Sequence, residues 1–296
     1  MIKSLLNIFV FIFVFNVFPK AYSINQGCKH FSINETLDTS KTKQNHYLAI
    51  SPYYSYFKYL DKQISPILYK GNLWGINLGF ESDGIKHKWN TQIGGALGNL
   101  IGETQNVSYL ATEYLLNINL NYLFRIGKKE SIIKKYIGLS FTSNNLFFYN
   151  TGLQNAALTY SSLNNIAFSS ELEKSFSWKS KSFKIWFVKL NRRARNIKVN
   201  FHLDVPLYFL NNRPPYSSIG DFTDGNSSFD SQTKSFFIFN NAFQLKTATS
   251  LSYYFHNNNA IRISYLWQSF SFSDIFDKYQ SAQHILEFSL LFRFNN

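Results

Sequence analysis

His202 and Asp204 are the strongest local candidates for chemistry in this 296-residue sequence. Residues two apart on a β-strand point to the same face, so Asp204 could orient His202 as a general base. A hydrolase also needs a nucleophile within reach of that base, and the neighbouring sequence supplies none. Lys198 shares the face, so the favoured interpretation is a charge-balanced network of these three side chains.

Three other features with the right residue types are poorly placed. His30-Phe31-Ser32 resembles a base and nucleophile pair, but it lies in a polar leader that cannot hold a partner. Asp221, Asp224 and Asp230 lie in a Ser- and Gly-rich stretch, where acids are usually solvated. The single Cys28 excludes an internal disulfide framework and a multi-cysteine metal site. No catalytic, cofactor-binding or metal-binding residue is predicted.

The elements that position these residues alternate with a period of two. Large apolar side chains occupy every second position of one segment: Tyr114, Leu116, Ile118, Leu120, Tyr122, Phe124 and Ile126. The opposite face of that segment carries Glu113, Asn117, Asn119, Asn121 and Arg125. A soluble sandwich would turn its polar face to water and carry more charge there. The asparagine ladder therefore predicts a hydrated interior enclosed by strands.

The composition is rich in rings and poor in charge. Aromatic residues make up 19% and charged residues 16%, compared with about 25% charged residues in typical soluble domains. The mean hydropathy of -0.18 is that of an alternating chain rather than of a helical membrane protein. The net charge is +13, with scattered basic residues that favour an anionic lipid or lipopolysaccharide surface over nucleic acid.

The first residues have the features of a secretory signal. Lys3 provides the positive start, Leu5–Phe18 is mainly apolar, and Ala21-Tyr22-Ser23 provides small residues for cleavage. We therefore predict a cleaved signal peptide over 1–23 and a periplasmic lead-in over 24–45. A lipoprotein is the alternative, because Cys28 follows Gly27, although Asn25 and Gln26 suit a lipidation box poorly.

The last segment, His284–Phe294, alternates between an apolar face and a more polar face that includes Glu287 and Arg293. It is about long enough to cross a membrane as a tilted strand. Chains of Gram-negative outer-membrane β-barrel proteins commonly end this way, and this chain resembles them. The resemblance implies a location in the cell outer membrane, contacts with its lipids and lipopolysaccharide, and recognition of the C-terminal strand by the barrel-assembly machinery.

The predicted fold is therefore all-β: an antiparallel transmembrane up-and-down β-barrel over 46–294. We expect about ten strands, or twelve if 179–195 adds a hairpin to the wall rather than forming a periplasmic element. The stretch 211–233 is predicted to be a long outer loop. Three shorter connections are expected at 61–70, 143–160 and 271–280. Pro206 should lie near a rim, because it cannot donate to a closed ladder.

The function predicted from these features is non-enzymatic. The chain would be a structural or surface barrel, a small-solute pore, or the barrel subunit of an envelope complex. The alternative is a barrel enzyme acting on outer-membrane lipid or on peptides. A ten-strand interior is mostly filled by side chains, which disfavours a general porin. The polar residues predicted to face the lumen are Glu113, Asn117, Asn119, Asn121, Lys198, His202, Asp204, Glu287 and Arg293.

Overall fold

The computed structural model describes residues 44–63, 65–103, 108–127, 131–156, 158–178, 181–185, 188–192, 195–213, 232–237, 242–273 and 278–294. The predicted signal peptide and nearly all of the predicted lead-in lie outside these ranges. The strands are β1 (Asn45–Asp61), β2 (Ser65–Asp83), β3 (His87–Glu103), β4 (Ser108–Ile126), β5 (Ile133–Tyr149), β6 (Leu158–Trp178), β7 (Lys181–Ile185), β8 (Val188–Arg192), β9 (Arg195–Arg213), β10 (Gln232–Phe237), β11 (Ala242–Tyr254), β12 (Ala260–Ser273) and β13 (Lys278–Phe294). A 3₁₀-helix spans Thr151–Ala156. Within the described ranges, no helix is long and apolar enough to cross a membrane.

Ten antiparallel strands close the barrel in the order β1, β2, β3, β4, β5, β6, β9, β11, β12 and β13, and β13 pairs back with β1. The prediction of an up-and-down barrel of about ten strands is thus confirmed. β10 pairs with the last residues of β9 and continues the course of β11. β7 and β8 form a separate two-stranded sheet, so they add no strand to the wall.

The barrel has two distinct ends. Asn45, Phe294, the turns at 84–86 and 255–259, and the β7–β8 hairpin belong to one end, which we call the terminal end. The opposite end, which we call the far end, carries the connections after β1, β3, β5, β9 and β12. Of the predicted 211–233 loop, the described residues at both ends are strand, and the remainder lies outside the described ranges.

The three shorter connections were predicted too long. β2 already begins at Ser65, β5 continues to Tyr149, and β6 begins at Leu158. Their Ser and Asn residues pointed to loops, but many of these polar side chains are buried on the inner face, as for Ser143 and Asn165. Because the inner face of the wall is polar, its strands carry Ser and Asn residues that are also typical of loops.

Pro206 was also placed wrongly, because it lies within the wall rather than at a rim. The ladder between β6 and β9 shifts register at this point, where Pro206 pairs with Ala167 and Tyr208 pairs with Ile166. Leu207 is the extra residue of this β-bulge. A bulge interrupts the ladder, and proline is tolerated there because no hydrogen-bond donor is needed.

The outer face of the wall is apolar, as a membrane-spanning barrel requires. Tyr114, Leu116, Ile118, Tyr122, Phe124 and Ile126 of β4 are all exposed on this face, in the phase predicted from the sequence. Three rings pack together on the exterior near the terminal end, those of Tyr122, Phe124 and His87. This exterior fits a lipid bilayer, so the wall has the surface of a membrane-spanning barrel.

Candidate functional site: a polar cavity below an aromatic plug

The far half of the lumen is filled by one cluster of buried side chains, which we call the aromatic plug. Its members come from all ten wall strands: Tyr53, Phe57, Tyr59, Tyr69, Leu73, Ala96, Leu100, Ala111, Leu115, Leu146, Phe148, Leu163, Phe209, Ala242, Phe270, Phe272 and Tyr279. The rings of Tyr59, Phe148 and Tyr279 meet near its middle, with centroids 5.5 Å apart in two of the pairs. Because β1 and β5 lie on different sides of the barrel, the contact between Tyr59 and Phe148 spans the interior.

Glycines on β2 and β3 make the space that these side chains fill. A Cβ added to Gly75 would lie 2.3 Å from the ring of Tyr53, and one added to Gly98 would lie 2.8 Å from the side chain of Leu73. Gly98 is also the direct cross-strand partner of Leu73. The side chains of Tyr53 and Leu73 therefore occupy space next to glycines, where the wall itself has no side chain.

Most polar groups within the plug are paired. Arg213 Nη1 lies 2.6 Å from Asp61 Oδ2, and both side chains are buried. Tyr59 donates its hydroxyl to the same carboxylate at 3.3 Å, and Asn150 Nδ2 donates to Tyr69 Oη at 3.0 Å. Such pairing is what an apolar environment demands of buried polar groups.

Glu113 is one of the exceptions. Its side chain has no exposed surface, and neither carboxyl oxygen has a hydrogen-bond partner. On the inner face of β4 it lies between Ala111 and Leu115, and its cross-strand neighbours are Gly98 and Phe148. Glu113, predicted to face a hydrated lumen, is instead enclosed by apolar side chains. A buried, unpartnered carboxyl destabilises the fold relative to a side chain of similar size without polar atoms.

The terminal half of the lumen contains a polar cavity of about 160 Å³. One side of it is lined by small residues of β1, β2, β11 and β12: Ala49, Ser51, Gly79, Ala248, Ser250 and Ser264. These short side chains create the space. The lining continues to Ser82, Asp83 and Tyr254, next to the turns of the terminal end. The cavity therefore belongs to the terminal end, and the plug separates it from the far end.

The other side of the cavity is a network of charged residues. Lys88 Nζ lies 2.5 Å from Glu171 Oε1 and also contacts Glu173, which is itself 2.7 Å from Lys134 Nζ. Lys198 pairs with Asp83. Arg262 donates to both carboxylate oxygens of Glu81, at 2.6 and 2.8 Å. Because each of these cations has a carboxylate partner, the network is close to neutral.

His202 and Asp204 lie within this network as neighbours. His202 Nε2 is 2.8 Å from Asp204 Oδ1, and His202 Nδ1 is 3.7 Å from Glu171 Oε2. Lys246 Nζ is 3.6 Å from the other oxygen of Asp204. Both ring nitrogens of His202 therefore face carboxylates, and neither faces a group that could be activated as a nucleophile.

Ser169 lies beside this pair, and its proximity was not predicted from the sequence. Ser169 Oγ donates to Asp204 Oδ1 at 2.5 Å and is fully buried. The residue types are those of a hydrolytic triad, but the connectivity is different, because a triad serine must contact the histidine rather than the acid. The arrangement is that of an ion-pair network with Asp204 at its centre.

The other predicted lumen residues occupy different surroundings. Asn117 Nδ2 donates to Tyr53 Oη at 3.4 Å, at the boundary with the plug, while Asn119 Oδ1 accepts from Lys246 Nζ at 3.1 Å. Asn121 and Glu287 line the cavity, and Glu287 accepts from Asn77 Nδ2 at 2.6 Å. Arg293 is half-buried at the terminal end, where its backbone N–H donates to Asn259.

Several residues of the network were not singled out in the sequence: Glu81, Lys88, Glu171, Glu173, Lys246 and Arg262. Glu171 and Glu173 flank the outward Leu172, so the period of two that revealed the other inward residues also applies to them. In the described parts of the chain, no group of three or more His, Cys, Asp or Glu residues could hold a metal ion.

No protein-family model matches the chain, and no curated protein matches it in sequence. Among solved structures, the outer membrane protease OmpT from Escherichia coli is similar, with 10% identity over 85% of this chain and 96% of that chain and a TM-score of 0.46. The transport unit of the autotransporter AIDA-I from Escherichia coli gives 10% identity, coverage of 86% and 93%, and a TM-score of 0.41. The toluene transporter TodX from Pseudomonas putida gives 7% identity, coverage of 84% and 89%, and a TM-score of 0.29. These likenesses concern the barrel architecture only.

Proposed function

We propose that the chain is a non-enzymatic outer-membrane barrel with a closed lumen, which acts as a structural or surface barrel or as the barrel subunit of an envelope complex. The aromatic plug is the observation that carries this proposal. A solute pore needs a continuous hydrated path, and the far half of this lumen is packed with buried apolar side chains from every wall strand, rings among them. The terminal end, with its polar cavity, faces the periplasm in this proposal, because it carries the short turns at 84–86 and 255–259, and short turns are periplasmic in such barrels.

Conductance measurements test the closed lumen. The purified barrel in planar lipid bilayers should give no single-channel steps. Replacing Tyr59 and Phe148 with Ala removes two rings from the middle of the plug, and this variant should admit ions. The matched control replaces Tyr114 and Phe147, which are exposed on the exterior, and should remain closed. Stable conductance by the unaltered protein would show that the lumen is a pore.

The surroundings of His202 support the absence of enzymatic activity. Both of its ring nitrogens face acids, and Ser169 donates to Asp204 rather than to the histidine. A general base must be within reach of the proton that it removes. Purified protein should therefore hydrolyse neither phospholipid, lipid A nor casein.

The alternative function is a barrel enzyme acting on outer-membrane lipid or on peptides, and the proximity of Ser169, His202 and Asp204 is the one observation that favours it. If this alternative is right, Ser169→Ala and His202→Ala would each abolish turnover while leaving the heat-modifiable, folded barrel intact. Absence of activity in the unaltered protein would leave the non-enzymatic barrel as the function, whereas activity that survives both substitutions would place the site away from Ser169 and His202.

The exterior and the C-terminal strand support the proposed partners. The apolar exterior requires outer-membrane lipids, and the basic excess of the chain suits lipopolysaccharide. β13 ends in Phe292 and Phe294, both on the outward phase, as expected of a strand that the barrel-assembly machinery would recognise. Fractionation should recover the chain with the outer membrane, and deletion of 290–296 should block its insertion.

A further inference from the structure

The outward side chains of β1 and β2 form a ladder that changes in character along the strands. Direct cross-strand partners are, from the terminal end upward, Ile50 and Leu78, Pro52 and Ile76, Tyr54 and Trp74, Tyr56 and Asn72, and Lys58 and Lys70. The sequence of pairs runs from aliphatic, through aromatic, to amide and hydroxyl, and finally to charged. This is the order of environments from acyl chains, through the interfacial layer, to lipid headgroups.

Trp74 marks the aromatic level of this ladder. It is 67% exposed, and its ring lies 4.8 Å from that of Tyr54, centroid to centroid. The lysine pair lies two outward positions above it, about 13 Å further along a strand. Lys58 and Lys70 are therefore at the height of the headgroups of the far-end leaflet.

Two lysines directly opposite each other are unfavourable unless something neutralises them. Both are exposed on the exterior. Lys58 Nζ lies 5.7 Å from the Tyr56 ring centroid, and no described carboxylate lies within ion-pair distance of either ammonium group. Glu103 on β3 is the nearest exterior acid in the register, two positions beyond Ile101, which pairs with Lys70. Among the residues that the structure describes, the pair therefore lacks a counter-charge.

The surroundings leave space and supply further polar groups. Lys58 has the small Ala282 as its neighbour on β13, so one flank of the pair is open. Tyr56 and Asn72 lie directly below and could donate to an anion between the lysines. In the same outward row, His284 is held by Tyr265, with 2.7 Å between Nδ1 and the hydroxyl oxygen.

We propose that Lys58 and Lys70 form a binding site for the phosphate groups of a lipid in the leaflet at the far end. This inference rests on the proposed orientation, in which that leaflet is the outer one and its phosphate-bearing lipid is lipopolysaccharide. The acyl chains of the bound lipid lie along Tyr54, Trp74 and Ile76, and its phosphate bridges the two ammonium groups.

Native mass spectrometry of the detergent-purified barrel with diphosphorylated lipid A tests the site. The unaltered chain should retain lipid A, and Lys58→Gln with Lys70→Gln should weaken retention by about tenfold or more, the loss expected for charge-assisted contacts. Lipid A without its phosphates should bind the unaltered chain as weakly as the variant. The matched control, Lys135→Gln with Lys174→Gln, removes two exposed exterior lysines at the terminal end and should retain lipid A fully.

Three results would overturn the site: equal retention by the Lys58 and Lys70 variant, equal binding of dephosphorylated lipid, or an equal loss in the control variant. Displacement of lipid A by excess inorganic phosphate would also overturn it, since it would indicate a site for free anions. Orientation is tested separately. Lys62→Cys, in the far-end turn of a Cys28→Ser chain, should react with an impermeant maleimide on intact cells. Failure of that labelling would refute the proposed placement, whereas the lipid A measurements decide the site.

Discussion

The ring of Tyr53 occupies the space that a side chain at Gly75 would need: a Cβ there would be 2.3 Å from Tyr53 Cζ and 2.6 Å from the carbonyl oxygen of Gly95. Tyr53 and Gly75 are direct cross-strand partners of β1 and β2. The tyrosine is buried in the plug, and Asn117 donates to its hydroxyl oxygen. The glycine thus permits the ring to lie against the wall and close the lumen.

Gly75→Ala should destabilise the barrel by about 1–3 kcal/mol, the usual cost of overpacking a filled interior. Gly79→Ala is the matched control on the same face of the same strand, since its Cβ would make only 3.4 Å contacts. Urea unfolding in lipid vesicles, followed by tryptophan fluorescence, measures both. Equal effects at the two glycines would contradict the close packing of Tyr53.

Glu113→Leu should stabilise the barrel by about 1–3 kcal/mol, because the unpartnered carboxyl is replaced by a side chain suited to the plug. Glu173→Leu is the opposite case. It removes the carboxylate that Lys88 and Lys134 share, and because Lys88 keeps Glu171 and Lys134 is part-exposed, the destabilisation should be about 1–3 kcal/mol. The same unfolding assay compares them. Destabilisation by Glu113→Leu would mean that the carboxyl has a role in holding the plug.

Ile118→Arg should destabilise the barrel by about 2–4 kcal/mol if Ile118 lies at the bilayer midplane. Asn121→Arg, on the same strand but lining the polar cavity, should be much milder, because the new cation faces water and carboxylates. Folding efficiency into lipid vesicles, read from heat-modifiable gel migration, gives a second measure. Similar penalties at both positions would contradict the assignment of inner and outer faces.

His202→Ala should cost about 1–3 kcal/mol, since Asp204 and Glu171 each lose a partner within the cavity wall. Ser169→Ala removes one hydrogen bond to Asp204 and should cost less, about 0.5–1.5 kcal/mol. The loss of stability in the double variant should be close to the sum of the two single losses only if the two side chains act on Asp204 independently. A strong non-additive coupling would reveal a tighter connection between Ser169 and His202 than their separate bonds to Asp204 suggest.

The wall could be predicted from the sequence because its two faces differ. On β4 the apolar positions from Tyr114 to Ile126 alternate with Asn and Glu, so the period of two fixes the phase. β1 has no such contrast, since Tyr53, Phe57 and Tyr59 point inward while Tyr54 and Tyr56 point outward. Because rings occur on both faces of β1, the inward rings of the plug could not be distinguished in the sequence from the outward rings expected at the membrane interface.

The network could not be assembled from the sequence for a different reason. Ser169 and Asp204 are 35 residues apart, and Lys88 and Glu171 are 83 residues apart. Their proximity depends on strand register, on the bulge at Pro206 and on closure of the barrel, none of which a local pattern encodes. Only His202 and Asp204, two apart on one strand, could be paired in advance.

Because every wall strand contributes to the aromatic plug, the lumen cannot be sealed before β13 pairs with β1. In the last part of the chain, Phe209 packs against Phe270 and Phe270 against Tyr279, and Tyr279 packs against Tyr59 of β1. Completion of the plug therefore requires closure of the wall. In the proposed function, a barrel that is still open at its seam therefore lacks this barrier, whereas a completed one should add no leak to the membrane.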